Sequence, residues 1–433
     1  MSYMHDLKIL VPLHTLPDVK SVTTIFFESL LSALKTKVNV HILWLVYTPD
    51  RIDSENRHYL GSTILDIHDY QNAVDVIKKE KPDLIYANGT WNFIDHALSS
   101  AAKFCGIPAF CIVYSDIWIK KNLTENISSN ITRFFQSSIP TDTEKNKKKF
   151  MKRGRFYLSK YVFLLKTKFA IKRDIIQTLF TIWKFVFLDK LDPRFANDTI
   201  EFLENESLLK QRIEMGYKNS NLIVTGNPIY DLAFQKLSDS KLSDKKDNKI
   251  CVLFAPSTLY EHGFWTKKQR EYAVKETIKE LSKNKNETSV IVKIHPSSSV
   301  LSDYESLVNS INSSVHIYQK GDILEFLNDS DVIISFQSST AEVYALLSGK
   351  PIVICNFFDL KGDAFLERGL AVDCKEPSSL LTSINLALVD NPATEQKRED
   401  FIREFMFKWD GRSAERICNK LIELSERKGK SIN

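Results

Sequence analysis

Glycine and proline are sparse in this chain, thirteen of each in 433 residues, which excludes collagen-like repeats and linker-dominated disorder. Cysteine is scarce as well. Cys105, Cys111, Cys251, Cys355, Cys374 and Cys418 form no CxxC pair and no metal-ligand spacing, so neither a zinc site nor a disulfide framework is encoded. They fall in or beside apolar runs and are expected as buried, reduced thiols in a reducing cytosol. No apolar run reaches the roughly 18 residues of a membrane-spanning helix. The first residues lead straight into an apolar strand without a basic region or cleavage site, so no signal peptide is expected. Charge of one sign is not in large excess: 59 basic against 54 acidic side chains leave +5, too little by itself to mark a nucleic-acid binder.

What remains is a globular composition, 43% apolar and 26% charged, at a length that suits two domains. Short apolar runs alternate with longer helical patterns, as in parallel sheets covered by crossover helices. In the first half, strands are expected at 8–12, 38–47, 83–87, 109–114 and 221–225, with a strand and helix inside 199–216. Helices are expected at 22–35, 70–79 and 95–104. Residues 235–249 are polar and lysine-rich and read as a linker. The pattern then restarts, with strands at 250–255, 289–294, 315–318, 332–335 and 351–355. Helices follow at 267–283, 304–312, 323–328, 340–347, 378–389 and 413–428. The expected organisation is an N-terminal Rossmann-like domain over 1–234, a linker over 235–249, a C-terminal Rossmann-like domain over 250–410, and a closing helix over 411–433 that packs back across the domains.

Residues 145–192 fit neither domain. Between 145 and 190, fourteen Lys or Arg stand against two acids, Asp174 and Asp189. Leu158, Val162, Leu165, Phe169, Ile176, Leu179, Trp183 and Phe187 recur at roughly helical intervals. A basic amphipathic helix of this kind suits a membrane surface, where each Lys or Arg near an anionic leaflet adds about 1 kcal/mol. Self-packing on its own domain or on a second copy is the alternative, which leaves a homo-oligomer open. An RNA-binding surface is disfavoured because the aromatics sit among aliphatics rather than as a stacking platform.

Four sequence elements carry candidate chemistry. Lys293-Ile294-His295-Pro296 ends an expected strand, where open parallel sheets bind ligands, and His295 can donate to a phosphate oxygen. A strand also ends at Ser335, followed by Gln337, Ser338, Ser339 and Thr340 at a helix start, a place that accepts phosphates. Glu342 in its first turn either caps the helix or bonds a ribose hydroxyl. Pro256 and Ser257 end the first strand of the second domain. Gly226 and Asn227, in Gly226-Asn227-Pro228-Ile229-Tyr230-Asp231, read as a hinge ahead of a ligand contact. Asp410-Gly411-Arg412 opens the last helix and is expected only to initiate and pack it.

Taken together, these motifs resemble the GT-B superfamily. They are most similar to surface-polysaccharide transferases, CDP-glycerol glycerophosphotransferases and UDP-N-acetylglucosamine 2-epimerases. The resemblance covers most of 198–428. It implies two Rossmann-like domains facing across a cleft, with a nucleotide-diphosphate or CMP-type donor as substrate and no metal. It also implies that His295, Ser338 and Ser339 contact donor phosphates and that Glu342 meets the ribose or sugar. The chain departs from the epimerases at Val11–His14, where they carry a basic loop, and at Tyr114–Asp116, where they carry Glu-Ala-Gly. A transferase is therefore expected, acting on a lipid-linked or polysaccharide acceptor from the cytoplasmic face of the membrane. A sugar-nucleotide epimerase or hydrolase, and a non-catalytic binding protein, are the alternatives. For the base that takes the acceptor's proton, His14 leads, with Asp116 beside it and Asp95 and His96 behind. A loop histidine without chemistry is the competing reading of His14.

Overall fold

A computed structural model describes residues 6–18, 22–48, 50–53, 57–87, 92–114, 159–172, 198–239, 249–261, 264–284, 286–296, 300–337, 339–389 and 392–428. The chain divides into two compact units. One takes the described residues up to Leu232 and from Glu404 onward; the other is Ala233–Arg403.

The first unit is built on an eight-stranded sheet of β1 (Asp6–Leu13), β2 (Asn39–Val46), β3 (His58–Tyr59), β4 (Ser62–Asp66), β5 (Leu84–Tyr86), β6 (Ala109–Val113), β7 (Ile200–Leu203) and β8 (Leu222–Val224). Their order is β3-β4-β2-β1-β5-β6-β7-β8, parallel except for the β3–β4 pair. The chain builds outward from β1 towards β4, then returns to β5 and builds the other way, so the order switches between β1 and β5. The strand cores are continuous apolar runs because helices cover both faces. On one face the helix Val22–Leu34 and the final helix Ser413–Lys428 share a core of Phe26, Phe27, Leu30 and Leu34 with Ile417, Cys418, Leu421 and Leu424. The Phe27 ring meets Trp44 and Tyr86 edge-on at 5.7 and 5.3 Å, a favoured aromatic geometry.

On the other face lie the helices Ala73–Glu80 and Phe93–Cys105 and a helical segment over 159–170. Asn72 and Asn92 start the first two by accepting N–H bonds through their side chains. Gly106 ends the second at φ 68°, a backbone that favours glycine. The described part of the basic insertion is 159–172, helical over 159–170. It turns Phe163, Leu164, Thr167, Lys168 and Ile171 inward, with Thr167 Oγ1 accepting from Ala73 N (3.0 Å) and Lys168 Nζ donating to Ser100 Oγ (2.8 Å). The stripe expected from the sequence does not share one face: Val162 is 39% and Phe169 59% exposed, whereas Leu165 is half-buried against the core. Leu158, Ile176, Leu179, Trp183 and Phe187 lie outside the described residues.

The second unit is a six-stranded parallel sheet of β9 (Ile250–Phe254), β10 (Thr288–Lys293), β11 (His316–Tyr318), β12 (Val332–Ser335), β13 (Ile352–Cys355) and β14 (Val372–Cys374). Its order is β11-β10-β9-β12-β13-β14, so the chain switches direction between β9 and β12. The expected linker does not begin at 235: residues 235–239 complete the helix Ile229–Asp239, and 240–248 lie outside the described residues. The closing helix sits wholly with the first unit, which it joins from Glu404.

Candidate functional site

In an open parallel sheet the loops at the switch point diverge to opposite faces and leave a crevice at the carboxyl edge. In the second unit those loops follow β9 and β12. They are tied together by Ser257, whose Oγ donates to the Gln337 carbonyl at 2.7 Å and accepts from the Gln337 N–H at 3.3 Å. Phe336 is buried beneath them, its ring 5.3 Å from Phe254 and 5.0 Å from Trp265. Pro256 is buried, whereas Thr340 at the helix start is exposed. Ser339 caps that helix, its Oγ accepting from Ala341 N at 3.3 Å. Ser338 lies outside the described residues. On the neighbouring strand, His295 and Pro296 stand exposed beyond β10. Lys293 is buried, and its Nζ donates to the Ile294 and Gln319 carbonyls at 3.1 and 2.9 Å. It thereby fixes the turn that presents His295, and burial pushes its pKa down. The structure thus gathers Pro256, Ser257, Ser339, Thr340, His295 and Pro296 along one sheet edge, and adds Gln337 and Lys293.

Glu342 does not belong with them. It is fully buried, takes the Ser335 hydroxyl on one oxygen and the Ser339 N–H on the other (2.6 Å), and forms a capping box with Ser339. The expected ribose contact is corrected: both carboxylate oxygens already join the strand end to the helix start. Burial raises its pKa well above the ordinary value, outweighing those two hydrogen bonds. A carboxyl with a raised folded pKa contributes its stability below the unfolded value near 4.5 and loses it as pH rises through the folded value. Glu342→Gln should therefore melt at or above wild type at neutral pH. Glu342→Ala strands two buried donors and should cost about 3 kcal/mol. Equal melting temperatures for the two variants would remove the capping assignment.

Gly226 and Asn227 lie in the first unit, where Gly226 packs against the closing helix and Asn227 ties the turn to Glu204 and Ile229. Gly226 has φ 83°, and a Cβ there would sit 2.5 Å from Ser413 Oγ. Asn227 Nδ2 donates to Glu204 Oε1 (3.1 Å), and its Oδ1 accepts from Ile229 N (3.1 Å). Asp231 receives the N–H groups of Ser413 (3.0 Å) and Ala414 (2.6 Å). Arg416 Nε donates to the Thr225 carbonyl at 2.7 Å, and its Nη1 reaches both Asp410 oxygens at 3.0 and 2.9 Å. The two motifs, nearly two hundred residues apart, form one clamp.

The carboxyl edge of the first sheet collects a second set of polar groups. His14 follows β1 at the switch point, Tyr47 follows β2, and Asn92 and Asp95 open the helix after β5. The His14 and Tyr47 rings are 6.4 Å apart, and Lys160 Nζ lies 4.8 Å from the Tyr47 ring centre. Burial and then the Lys160 charge lower the His14 pKa, which keeps the imidazole neutral at neutral pH. Burial drives Lys160 itself down to about 8, opposed by Asp95. The Tyr47 hydroxyl is raised by burial and by Asp95, against a hydrogen bond from Asn92. Asp95 and His96 are both buried, the former receiving the Asn92 side-chain amide, so neither faces outward as a base. Asp116 lies outside the described residues.

Sequence reasoning passed over one further pair here. Asp66, 1% exposed, accepts from the His68 N–H at 2.9 Å and from Nδ1 at 2.6 Å, and its other oxygen takes Ile52 N at 2.9 Å. Burial would raise the Asp66 pKa, but these bonds together hold it below the ordinary value.

A cavity of about 240 Å³ lies between His68, Tyr47 and the 159–170 segment. A larger one, about 380 Å³, is lined by Lys350, Pro351 and Ala371. Those residues precede β13 and β14, so it opens at the amino edge of the second sheet, away from His295 and Thr340.

Comparison with known proteins places these observations. Residues 210–423 match the family model described as CDP-Glycerol:Poly(glycerophosphate) glycerophosphotransferase. None of the curated proteins compared matches the chain. Among solved structures, the calicheamicin glycosyltransferase CalG4 aligns with a TM-score of 0.54 at 11% identity, over 98% of this chain and 99% of that one. The UDP-GlcNAc 2-epimerase of Neisseria meningitidis, bound to UDP-GlcNAc, aligns at 0.51 and 14% identity over 96% and 100%. That of Methanocaldococcus jannaschii, in complex with UDP-GlcNAc and UDP, aligns at 0.51 and 13% over 96% and 99%. Identities this low speak for the fold, which is the GT-B arrangement of two Rossmann-like units.

Proposed function

We propose, from the premise that this chain is a GT-B transferase whose residues 210–423 match the glycerophosphotransferase family model, that it moves a glycerol-phosphate or sugar unit from a nucleotide-activated donor to a lipid-linked or polysaccharide acceptor. The observation that carries the reading is the switch point between β9 and β12. There the Ser257–Gln337 bridge, the start of the helix at Thr340 and the exposed His295 share one edge. Helix-start N–H groups and a histidine are suited to a diphosphate, and they stabilise the leaving nucleotide as charge develops on it. Epimerases with UDP-type ligands among the neighbours support nucleotide binding at this fold. In the first unit, neutral His14 is assigned as the base that takes the acceptor hydroxyl's proton, and Asp116 stays a candidate beside it.

A thermal-shift panel of CMP, CDP, UMP, UDP, GDP and ADP tests the donor site. A ligand at 100 times its dissociation constant stabilises the fold by roughly 2.7 kcal/mol. A shift with a cytidine or uridine nucleotide, lost in His295→Ala, is the expected result. A panel without any shift would falsify the nucleotide pocket and leave a non-catalytic protein as the better reading. Turnover of donor without acceptor would instead favour the epimerase or hydrolase alternative.

Membrane attachment belongs to the same proposal. No helix among the described residues is long and apolar enough to cross a bilayer. Phe169, exposed on 159–170, supports surface binding at an anionic leaflet. Co-sedimentation with phosphatidylglycerol vesicles should fall in Phe169→Glu. Equal sedimentation of the two proteins counts against this face as the attachment site.

A further inference from the structure

Two buried cysteines have no part in the function proposed above. Cys355 ends β13 and Cys374 ends β14, and they are register partners on adjacent parallel strands. Both side chains enter the same core cluster, so they leave the sheet on one face. Neighbouring strands lie about 4.8 Å apart, inside the roughly 4.4–6.8 Å between Cα atoms that a disulfide spans. Both thiols are free, and Cys355 donates a hydrogen bond to the Cys374 sulfur.

The two thiols are not equivalent. The bond from Cys355, aided by the hydroxyls of Ser379 and Ser383, pulls the Cys374 pKa down against the effect of burial. Burial and the same bond push Cys355 well up, and burial also raises Cys105, Cys111 and Cys418. Thiolate, the nucleophilic form, is therefore favoured at Cys374. That residue sits on the edge strand of the sheet. Its chain neighbours Asp373, Lys375, Glu376 and Ser378 are exposed. The short turn Pro377–Ser379 closes over the sulfur, with Ser379 Oγ 3.5 Å from it.

We propose that Cys355 and Cys374 form a dithiol switch, which a small hydroperoxide closes to a disulfide at the carboxyl edge of the second sheet. The Cys374 thiolate attacks one peroxide oxygen and breaks the O–O bond, which gives a sulfenic acid and hydroxide. The hydroxide neutralises the proton that Cys374 had given to solvent. Cys355 then attacks the Cys374 sulfur, and its proton leaves with the sulfenic oxygen as water. Two thiols lose two electrons and two protons, and the peroxide becomes two waters. Burial of both sulfurs excludes a bulky disulfide as oxidant, whereas hydrogen peroxide is little larger than water. The new bond lies one residue before Asn356, whose side chain accepts from Leu360 N at 2.7 Å and donates to its carbonyl at 3.3 Å. It therefore tethers the loop after β13, where Phe358 packs on Trp265 at 5.2 Å. The switch stands whether or not the donor reading does.

The test treats the full chain with hydrogen peroxide at neutral pH, beside free N-acetylcysteine, and maps its unreduced peptides by mass spectrometry. A linked Cys355–Cys374 peptide pair, reversed by dithiothreitol, is expected. In Cys355→Ala the second step is blocked, so dimedone should trap Cys374 as the sulfenic acid. Its labelling should be at least about tenfold faster than that of Cys105 and Cys251, although both are less buried. Circular dichroism checks that the variant is folded, and the wild-type peptide map decides the matter if it is not. Absence of the linked pair under peroxide that fully oxidises the N-acetylcysteine overturns the proposal. So does a bridge that forms only after denaturant is added, because the thiols would then be packing groups alone.

Discussion

Replacing His14 with alanine is expected to lower kcat by about 10²- to 10⁴-fold, the usual contribution of a positioned general base, while the nucleotide-induced thermal shift survives. The two readouts separate because His14 belongs to the first unit and the residues proposed for the donor to the second. The sign of the pH dependence follows from the environment of the ring. Burial and the Lys160 charge both disfavour the imidazolium. The acid limb of kcat should therefore lie below the ordinary histidine value near 6.5, with full activity at neutral pH. Lys160→Gln removes the second of these causes, so its acid limb should move up towards that value. A His14→Ala enzyme with unchanged kcat would pass the role to Asp116.

A loss of stability as large as that of Glu342→Ala is expected from Asp231→Ala. The Asp231 carboxylate is buried and accepts the first N–H groups of the final helix from Ser413 and Ala414. Removing it takes away a cap, a favourable charge at a helix N-terminus, and the partners of two buried donors. The combined cost is about 3 kcal/mol on these principles, or a fall in Tm of roughly 6–12 °C for a unit of this size. Asp231→Asn keeps an acceptor oxygen and should fall between the two. Thermal unfolding with and without nucleotide checks the assignment, since ligand binding in the second unit should persist. Melting of Asp231→Ala at the wild-type temperature would show that the helix is held by its apolar face alone.

Sequence patterning located the second sheet almost residue for residue. The strand Val332–Ser335 and the helices Ile323–Asn328 and Thr340–Leu347 fall where expected. Continuous apolar runs and capping residues both mark them, so two independent signals agree. The helix Pro392–Phe405 was not foreseen: its sequence is dominated by charged residues, and Phe401, Phe405 and little else turn inward. The strands β3, β4 and β14 escaped because none has more than two apolar residues to mark it. In the insertion, hydropathy missed the inner side of 159–170, because that side includes Thr167 and Lys168. Their burial makes sense only once Ala73 and Ser100 are seen as partners.

The candidate site divides along the same line. His295, Ser257 and Thr340 were legible because strand ends and helix starts are local patterns. Capping by Glu342 was one of the two readings its place in the first turn offered, but its bond to the buried Ser335 hydroxyl was not legible, nor was the role of Gly226, which depends on Ser413 arriving from far along the chain. The His68–Asp66 pair had only a two-residue spacing to announce it, and that spacing is common in turns.

The clamp at Asp231 also sets an order of events during synthesis. The helix Val22–Leu34 emerges early, yet part of the core it faces comes from Ile417, Cys418, Leu421 and Leu424. At ordinary elongation rates, making the intervening second unit takes roughly 10–30 s. Throughout that interval the nascent first unit carries an uncovered apolar seam along Phe26 and Leu30. A ribosome that stalls or terminates shortly before Ser413 therefore releases a chain with the second sheet intact and the first sheet open, a natural client for chaperones and proteases.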